Sequence, residues 1–150
     1  SGLVDMSFGY DSDKILVQET IQFLLAMKTE FVDAATSFNE LKPSALGRIK
    51  IYGIAKTHAD FMLFRNGFKM IFSLKGPGQL SIRFNFIGTN YIPSPNVDPA
   101  AAQSAMMDEH LIEAKWGAFG EVMWTYQNQP LKMPYLVRHY LSLFIRESSK

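Results

Sequence analysis

The 150-residue chain contains no cysteine, which excludes a disulfide-bonded scaffold and any metal site built from thiolates. It also lacks the run of about 18 uninterrupted apolar residues that a membrane-spanning helix requires. Gly76-Pro77-Gly78 has no Gly-Lys-Ser/Thr sequence of the kind that cradles phosphates. Gly117 and Gly120 are not part of a predicted βαβ unit, so they form no dinucleotide fingerprint. We therefore predict no cofactor and no membrane association, and we assign no catalytic residue.

The composition is that of a globular protein, with 47% apolar and 19% charged residues. Residues 1–150 are predicted to form a single domain, of which residues 1–10 are expected to be disordered or tag-derived. The lack of cysteine fits a cytoplasmic protein. The net charge of +1 conceals a segregation, because residues 48–87 contain seven Lys or Arg residues and one Asp. This basic segment is the main electrostatic feature of the chain.

The pair Asn66-Gly67 lies between two β-prone runs and is typical of a two-residue type I′ hairpin turn. Such a turn fixes the register of the two strands and sets Phe61 opposite Phe72. Side chains alternate between the two faces with period two, so one face collects the apolar side chains. The residues predicted on this inner face are Phe61, Leu63, Arg65, Phe68, Met70, Phe72 and Leu74.

Two further turns agree with this register. A three-residue loop at Gly76-Pro77-Gly78 pairs Leu74 with Leu80, and a loop of even length would turn the following apolar residues outward. A three-residue loop at Lys56-Thr57-His58 pairs Ile51 with Leu63. Residues 48–87 are therefore predicted to form a four-stranded antiparallel meander, since three independent turns give the same inner face.

The opposite, outer face combines cations with apolar and aromatic side chains. It is neither a uniformly polar surface nor a second core, and sizeable apolar patches on a surface usually mark contact sites. Polar residues such as Asp60, Ser73 and Ser81 are also predicted on this face. The predicted binding residues, which we call the outer-face set, are Lys50, Tyr52, Met62, Phe64, Lys69, Ile71 and Arg83.

The remainder of the chain is predicted to be mainly helical. A long N-terminal helix starts near Asp11 or Ser12, ends before Pro43 and either lies across the inner face or overhangs it and pairs with a symmetry mate. A second helix begins at Asp98-Pro99 and continues through Trp116, and a third begins at Pro134. Residues 121–127 are predicted to form a fifth strand, although a helical continuation also fits their pattern. The predicted class is α+β: a meander of four or five strands packed on a long helix, followed by two more helices.

Three groups of ionisable residues are candidate chemical sites. His58 and Asp60 flank a loop, but no nucleophile is placed beside them, so a polar loop is the preferred interpretation. Glu109, His110 and Glu113 would share adjacent turns of the second predicted helix, which offers too few convergent ligands for a metal, and we predict no metal site. His139 is predicted to be a surface or capping residue.

A long helix followed by an antiparallel meander is similar in element order to cystatin-like and NTF2-like architectures, over residues 12–87. That resemblance implies a curved sheet that can leave a pocket against its helix. Our first hypothesis is a non-catalytic interaction domain that forms a homodimer, or binds a protein partner, through the outer-face set. The alternatives are a binder of single-stranded nucleic acid that uses the same basic and aromatic face, and a ligand carrier or enzyme with a pocket between helix and sheet. Arg65 is the first residue to inspect for such a pocket, because it is the one charge assigned to the inner face.

Overall fold

The computed structural model describes residues 2–54, 57, 59–86 and 108–150. These residues form two α-helices, a short 3-10 turn at Ala45–Gly47 and seven strands. The helices are α1 (Gly2–Glu40) and α2 (Met133–Ser148). The strands are β1 (Lys50–Gly53), β2 (Phe61–Arg65), β3 (Phe68–Gly76), β4 (Gln79–Phe86), β5 (Asp108–Trp116), β6 (Val122–Tyr126) and β7 (Gln129–Pro130).

The seven strands form one antiparallel sheet in which each strand pairs with the next along the chain. Asn66 and Gly67 have φ angles of 53° and 82°, which are the positive values that a type I′ turn requires at both central residues. Phe61 lies opposite Phe72, as predicted. Their rings stack with centroids 4.6 Å apart. The predicted inner face is therefore confirmed.

The turn between β3 and β4 keeps the predicted register by a different route. Leu74 pairs with Leu80, as predicted, but Gly76 pairs with Gln79, so the turn itself is the two-residue Pro77-Gly78. The register shifts between Leu74 and Gly76. This bulge adds one residue to β3 and has the same effect on side-chain parity as an odd loop.

The sheet has more strands than predicted, and the predicted helix that ends at Trp116 is wrong in its described part. Residues 108–116 form β5, and residues 99–107 lie outside the described residues. Ile112 and Ala114 face the core, whereas Glu113 and Lys115 face outward, which is the alternation of a strand. The predicted fifth strand is confirmed as β6.

Helix α1 lies across the inner face of the sheet and supplies a buried stripe of Leu24, Met27, Phe31 and Ala35. It begins at Gly2 rather than at the predicted N-cap residues. Its 39 residues span about 58 Å, whereas the nine residues of β3 span about 30 Å. The helix is thus longer than the strands on which it packs, and its pairing with a symmetry mate stays a prediction.

Side chains of α1 fix the helix to both ends of the meander. Near its N-terminal half, the buried hydroxyl of Thr20 accepts a hydrogen bond of 3.0 Å from the Gly78 backbone N–H. At its C-terminal end, the amide of Asn39 both donates to and accepts from the backbone of Ile49, at 3.0 Å and 2.8 Å. No helix within the described part of the chain is long and apolar enough to cross a membrane.

Helix α2 packs beside α1 on the same inner face. It has a proline in its first turn, as predicted for Pro134. The buried residues of this helix are Leu136, Val137, Tyr140, Phe144 and Ser148. The N-terminal half of α2 lies over the β5–β7 end of the sheet.

Arg65 is buried on the inner face, as predicted. Its side chain connects three structural elements and is absent from the linings of the two cavities at α2. Its guanidinium donates to the Gly47 carbonyl oxygen at 2.8 Å and to the hydroxyls of Ser148 and Ser149 at 2.9 Å and 2.8 Å. It also lies over the Phe38 ring, 5.2 Å from the centroid. A cation at this position complements the negative end of the α2 dipole.

Candidate functional site

The structure brings all seven residues of the outer-face set onto one face of the sheet. Tyr52, Met62, Ile71 and Arg83 form one cross-strand row, and Lys50, Phe64 and Lys69 form the next. Lys50 and Tyr52 are exposed, whereas the other members are half-buried. The predicted register is therefore confirmed for these residues, and their role in binding stays a prediction.

Strand β5 adds acidic groups to the outer face. Glu109 lies opposite Arg83 in the neighbouring strand. Its carboxylate accepts hydrogen bonds from Lys75 Nζ at 2.9 Å and from Ser81 Oγ at 2.7 Å. The hydrogen bonds from Lys75 and then Ser81 lower the pKa of Glu109. The outer face is therefore mixed in charge near β4 and β5, rather than uniformly basic.

The acidic and histidine candidates are separated by this strand. Glu109 and Glu113 lie on the outer face, whereas His110 lies on the inner face, so the predicted helical cluster does not exist. Among the described residues, no group of three or more His, Cys, Asp or Glu side chains is placed to hold a metal ion.

Asp60 was predicted as an outward polar residue, but it is fully buried. Its Oδ1 accepts hydrogen bonds from the Thr57 hydroxyl at 2.7 Å and from the Leu74 backbone N–H at 3.2 Å. The carboxylate therefore closes the loop before β2 instead of facing solvent. Its predicted neighbour His58 lies outside the described residues.

A cleft of about 520 Å³ opens between the N-terminal half of α2 and strands β5–β7. We call it the α2 cleft. Its volume lies within the range of about 300–1,000 Å³ that small-molecule sites occupy. The lining is mainly aliphatic and aromatic and consists of Ile112, Tyr126, Pro130, Leu131, Lys132, Tyr135, Leu136, His139 and Tyr140.

The hydroxyl of the buried lining residue Tyr140 is paired with His110, an inner-face residue of β5 outside the lining set. His110 Nδ1 and the Tyr140 hydroxyl oxygen are 2.8 Å apart. Burial raises the pKa of the Tyr140 hydroxyl, and burial lowers the pKa of the His110 imidazole. At neutral pH the Tyr140 hydroxyl therefore keeps its proton and the His110 ring is neutral, and the imidazole tautomer sets which of the two donates the hydrogen bond. The Tyr126 ring packs on the same imidazole at 5.5 Å between centroids.

The exposed residues of the α2 cleft lining include one cation, Lys132. Lys132 is the N-cap residue of α2, and its side chain makes no capping hydrogen bond. His139 is exposed, as predicted for a surface residue, yet it lines the cleft. Tyr135 is 63% exposed, so a large aromatic ring borders the opening. The cleft lining therefore combines buried side chains, such as Leu136 and Tyr140, with exposed polar ones, such as Lys132.

Sequence reasoning missed the α2 cleft because it assigned β5 to a helix. In a helix, His110 would lie beside Glu113, whereas in the strand it faces Tyr140 from the next layer. A signal is present in the alternation of Ile112 and Ala114 with the charged Glu113 and Lys115, but Leu111 interrupts it. The helix-start pattern at Asp98-Pro99 is the stronger local signal.

Comparison with known proteins found no matching protein-family model, no similar curated protein and no similar solved structure.

Proposed function

We propose that this chain is a non-catalytic binding protein for a small, largely apolar molecule that occupies the α2 cleft. The observation that carries the proposal is the cleft itself, which combines a suitable volume with an aromatic and aliphatic lining. A mainly apolar lining with a small number of polar groups is typical of sites that bind and orient a small molecule. This proposal develops the ligand-carrier alternative from the sequence. The pocket is sought at α2 instead of at Arg65.

The paired state of Tyr140 and His110 supports binding in preference to chemistry. The raised pKa of Tyr140 keeps its hydroxyl protonated, and the hydroxyl is paired with His110 Nδ1. The buried hydroxyl thus has a hydrogen-bond partner before a ligand arrives. An apolar ligand can cover this hydroxyl without leaving it unsatisfied, which would cost about 1–3 kcal/mol.

Filling the α2 cleft should abolish binding of an uncharged apolar probe. Titration with N-phenyl-1-naphthylamine should give saturable fluorescence for the natural sequence, and Leu131→Trp should weaken binding at least tenfold. Leu131 lines the cleft and is half-buried, so a larger ring there occupies ligand volume. Leu46→Trp is the matched control, because Leu46 is 88% exposed and is not a lining residue. Equal binding by the two variants would refute the proposed site.

The outer-face set gives a second candidate function, which is self-association. Its Tyr52–Met62–Ile71 row offers apolar contact area, while Lys69 lies toward one side of the sheet and Glu113 toward the other. Two copies related by a twofold axis could place each basic half against an acidic half, as an isologous interface requires. This charge pattern supports a homodimer more than a nucleic-acid partner, because Glu109 next to Arg83 would repel phosphate. The single-strand nucleic-acid alternative stays a prediction.

Charge placed in the apolar row should dissociate such a dimer. Light scattering should give twice the monomer mass for the natural sequence and the monomer mass for Tyr52→Glu, since Tyr52 is 44% exposed on this face. Tyr135→Glu is a matched control on α2, away from the outer face, and should remain dimeric. A natural protein that is monomeric at high concentration would contradict self-association.

A further inference from the structure

A second cavity of about 340 Å³ runs along the outer side of α2 next to the α2 cleft. We call it the basic shelf. It shares Tyr135 and His139 with the α2 cleft, so the two cavities meet at these side chains. Its other lining residues are Arg138, Ser142, Leu143 and Arg146. The two cavities therefore form a continuous surface with an apolar part and a cationic part.

The basic shelf can attract an anion because no carboxylate among its lining residues neutralises its arginines. The lining sets of both cavities contain no carboxylate. Arg146 makes a long contact of 3.7 Å with Glu147, but the ion pairs found among the described residues do not include Arg138. The Arg138 guanidinium instead lies over the Tyr135 ring, 5.2 Å from its centroid. Arg138 thus lies on the basic shelf beside Tyr135, one of the two residues that the cavities share, and its side chain is exposed.

The polar residues of the basic shelf lie in a row along α2. Arg138, Ser142 and Arg146 are four residues apart, so they lie on one side of the helix. The helix rises about 12 Å between Arg138 and Arg146. A hydroxyl and two guanidinium groups along one stripe are suited to carboxylate or phosphate oxygens, which arginine binds by paired hydrogen bonds.

We propose that the ligand of this site is an anionic amphiphile, with its apolar body in the α2 cleft and its carboxylate or phosphate head group on the basic shelf beside Arg138. This inference rests on the proposed function of the α2 cleft and defines the ligand class of that site. Burial of the apolar body supplies most of the affinity. The exposed head-group contacts select an anion over a neutral or cationic amphiphile of the same length.

Displacement of N-phenyl-1-naphthylamine by matched competitors tests the ligand class on the full chain. Octyl phosphate and octanoate should compete about fivefold better than octanol, which corresponds to the upper range of an exposed charge pair. Octyltrimethylammonium should compete more weakly than octanol. The order of the two anions separates a phosphate head group from a carboxylate. Equal competition by octyl phosphate, octanoate and octanol would overturn the proposal.

Charge reversal on the basic shelf tests the head-group position. In Arg138→Glu, competition by octyl phosphate should weaken at least fivefold, while octanol and the neutral probe bind as before. Arg48→Glu is the control, because Arg48 is an exposed arginine remote from α2 in sequence and lines neither cavity. Arg138→Gln should give an intermediate loss and replaces Arg138→Glu if that variant does not fold. Unchanged selectivity in the folded variant would overturn the proposal.

These experiments separate the two levels of inference. If the neutral probe does not bind, or binds Leu131→Trp as well as Leu46→Trp, the proposed function fails and the ligand class fails with it. If the neutral probe binds in the α2 cleft but octyl phosphate, octanoate and octanol compete equally, the binding function holds and only the anionic head group is refuted.

Discussion

Phe72→Ala should lower the free energy of unfolding by about 4 kcal/mol, the largest effect that we expect from a single substitution. Phe72 is completely buried at the centre of the sheet. Its ring stacks on Phe61 at 4.6 Å and lies 4.8 Å from the Phe31 ring of α1. It also meets Tyr140 of α2 edge to face, at 6.5 Å between centroids. One side chain therefore joins the sheet to both helices.

The physical reason for so large an effect is that rigid neighbours surround the ring on three sides. Truncation removes the apolar surface of the ring and leaves a cavity, because the strand backbone cannot move inward without breaking its ladder. Equilibrium unfolding in urea measures the loss. Phe119→Ala is the control, since Phe119 is 95% exposed, and it should change stability by less than about 0.5 kcal/mol. A loss below about 2 kcal/mol for Phe72→Ala would contradict this account of the core.

The architecture of residues 48–86 was predictable because local chemistry determined it strongly. Asn66-Gly67 permits two successive positive φ angles, so the hairpin had one favourable turn type and one register. The alternating apolar residues then chose the buried face. The bulge before Gly76 was not predicted, because a bulge and an odd loop leave the same parity and the sequence does not distinguish them.

The misassignment of β5 has an equally specific cause. Asp98-Pro99 is a strong helix-start pattern, and Leu111 and Ile112 are compatible with either a helix or a strand. The strand is favoured in the fold because β4 offers it a free edge, so that Ile82 pairs with His110 and Arg83 with Glu109. Such a non-local pairing cannot be derived from one segment alone. The α2 cleft depends on it and was therefore not predicted, whereas the register that puts the outer-face set on one face depends on the local hairpins and was predictable.

Arg65→Met should lower the free energy of unfolding by about 3 kcal/mol, because it removes charge-assisted hydrogen bonds that join three parts of the chain. The guanidinium of Arg65 is buried and donates to Gly47, Ser148 and Ser149. Methionine fills similar volume but removes the guanidinium from the Phe38 ring and leaves the Gly47 carbonyl oxygen without this donor. The negative end of α2 also loses its neighbouring cation.

The geometry of the donors distinguishes this role from a general need for positive charge. One planar guanidinium reaches the Gly47 carbonyl through Nε and both serine hydroxyls through Nη1. An ammonium group has its donors on one atom and cannot reproduce that fork. Arg65→Lys should therefore recover less than half of the stability lost in Arg65→Met. Arg48→Met, at an exposed arginine, should cost less than about 0.5 kcal/mol. If urea unfolding shows Arg65→Lys to be as stable as the natural sequence, charge alone suffices and the proposed clamp between β2, the 3-10 turn and the end of α2 is refuted.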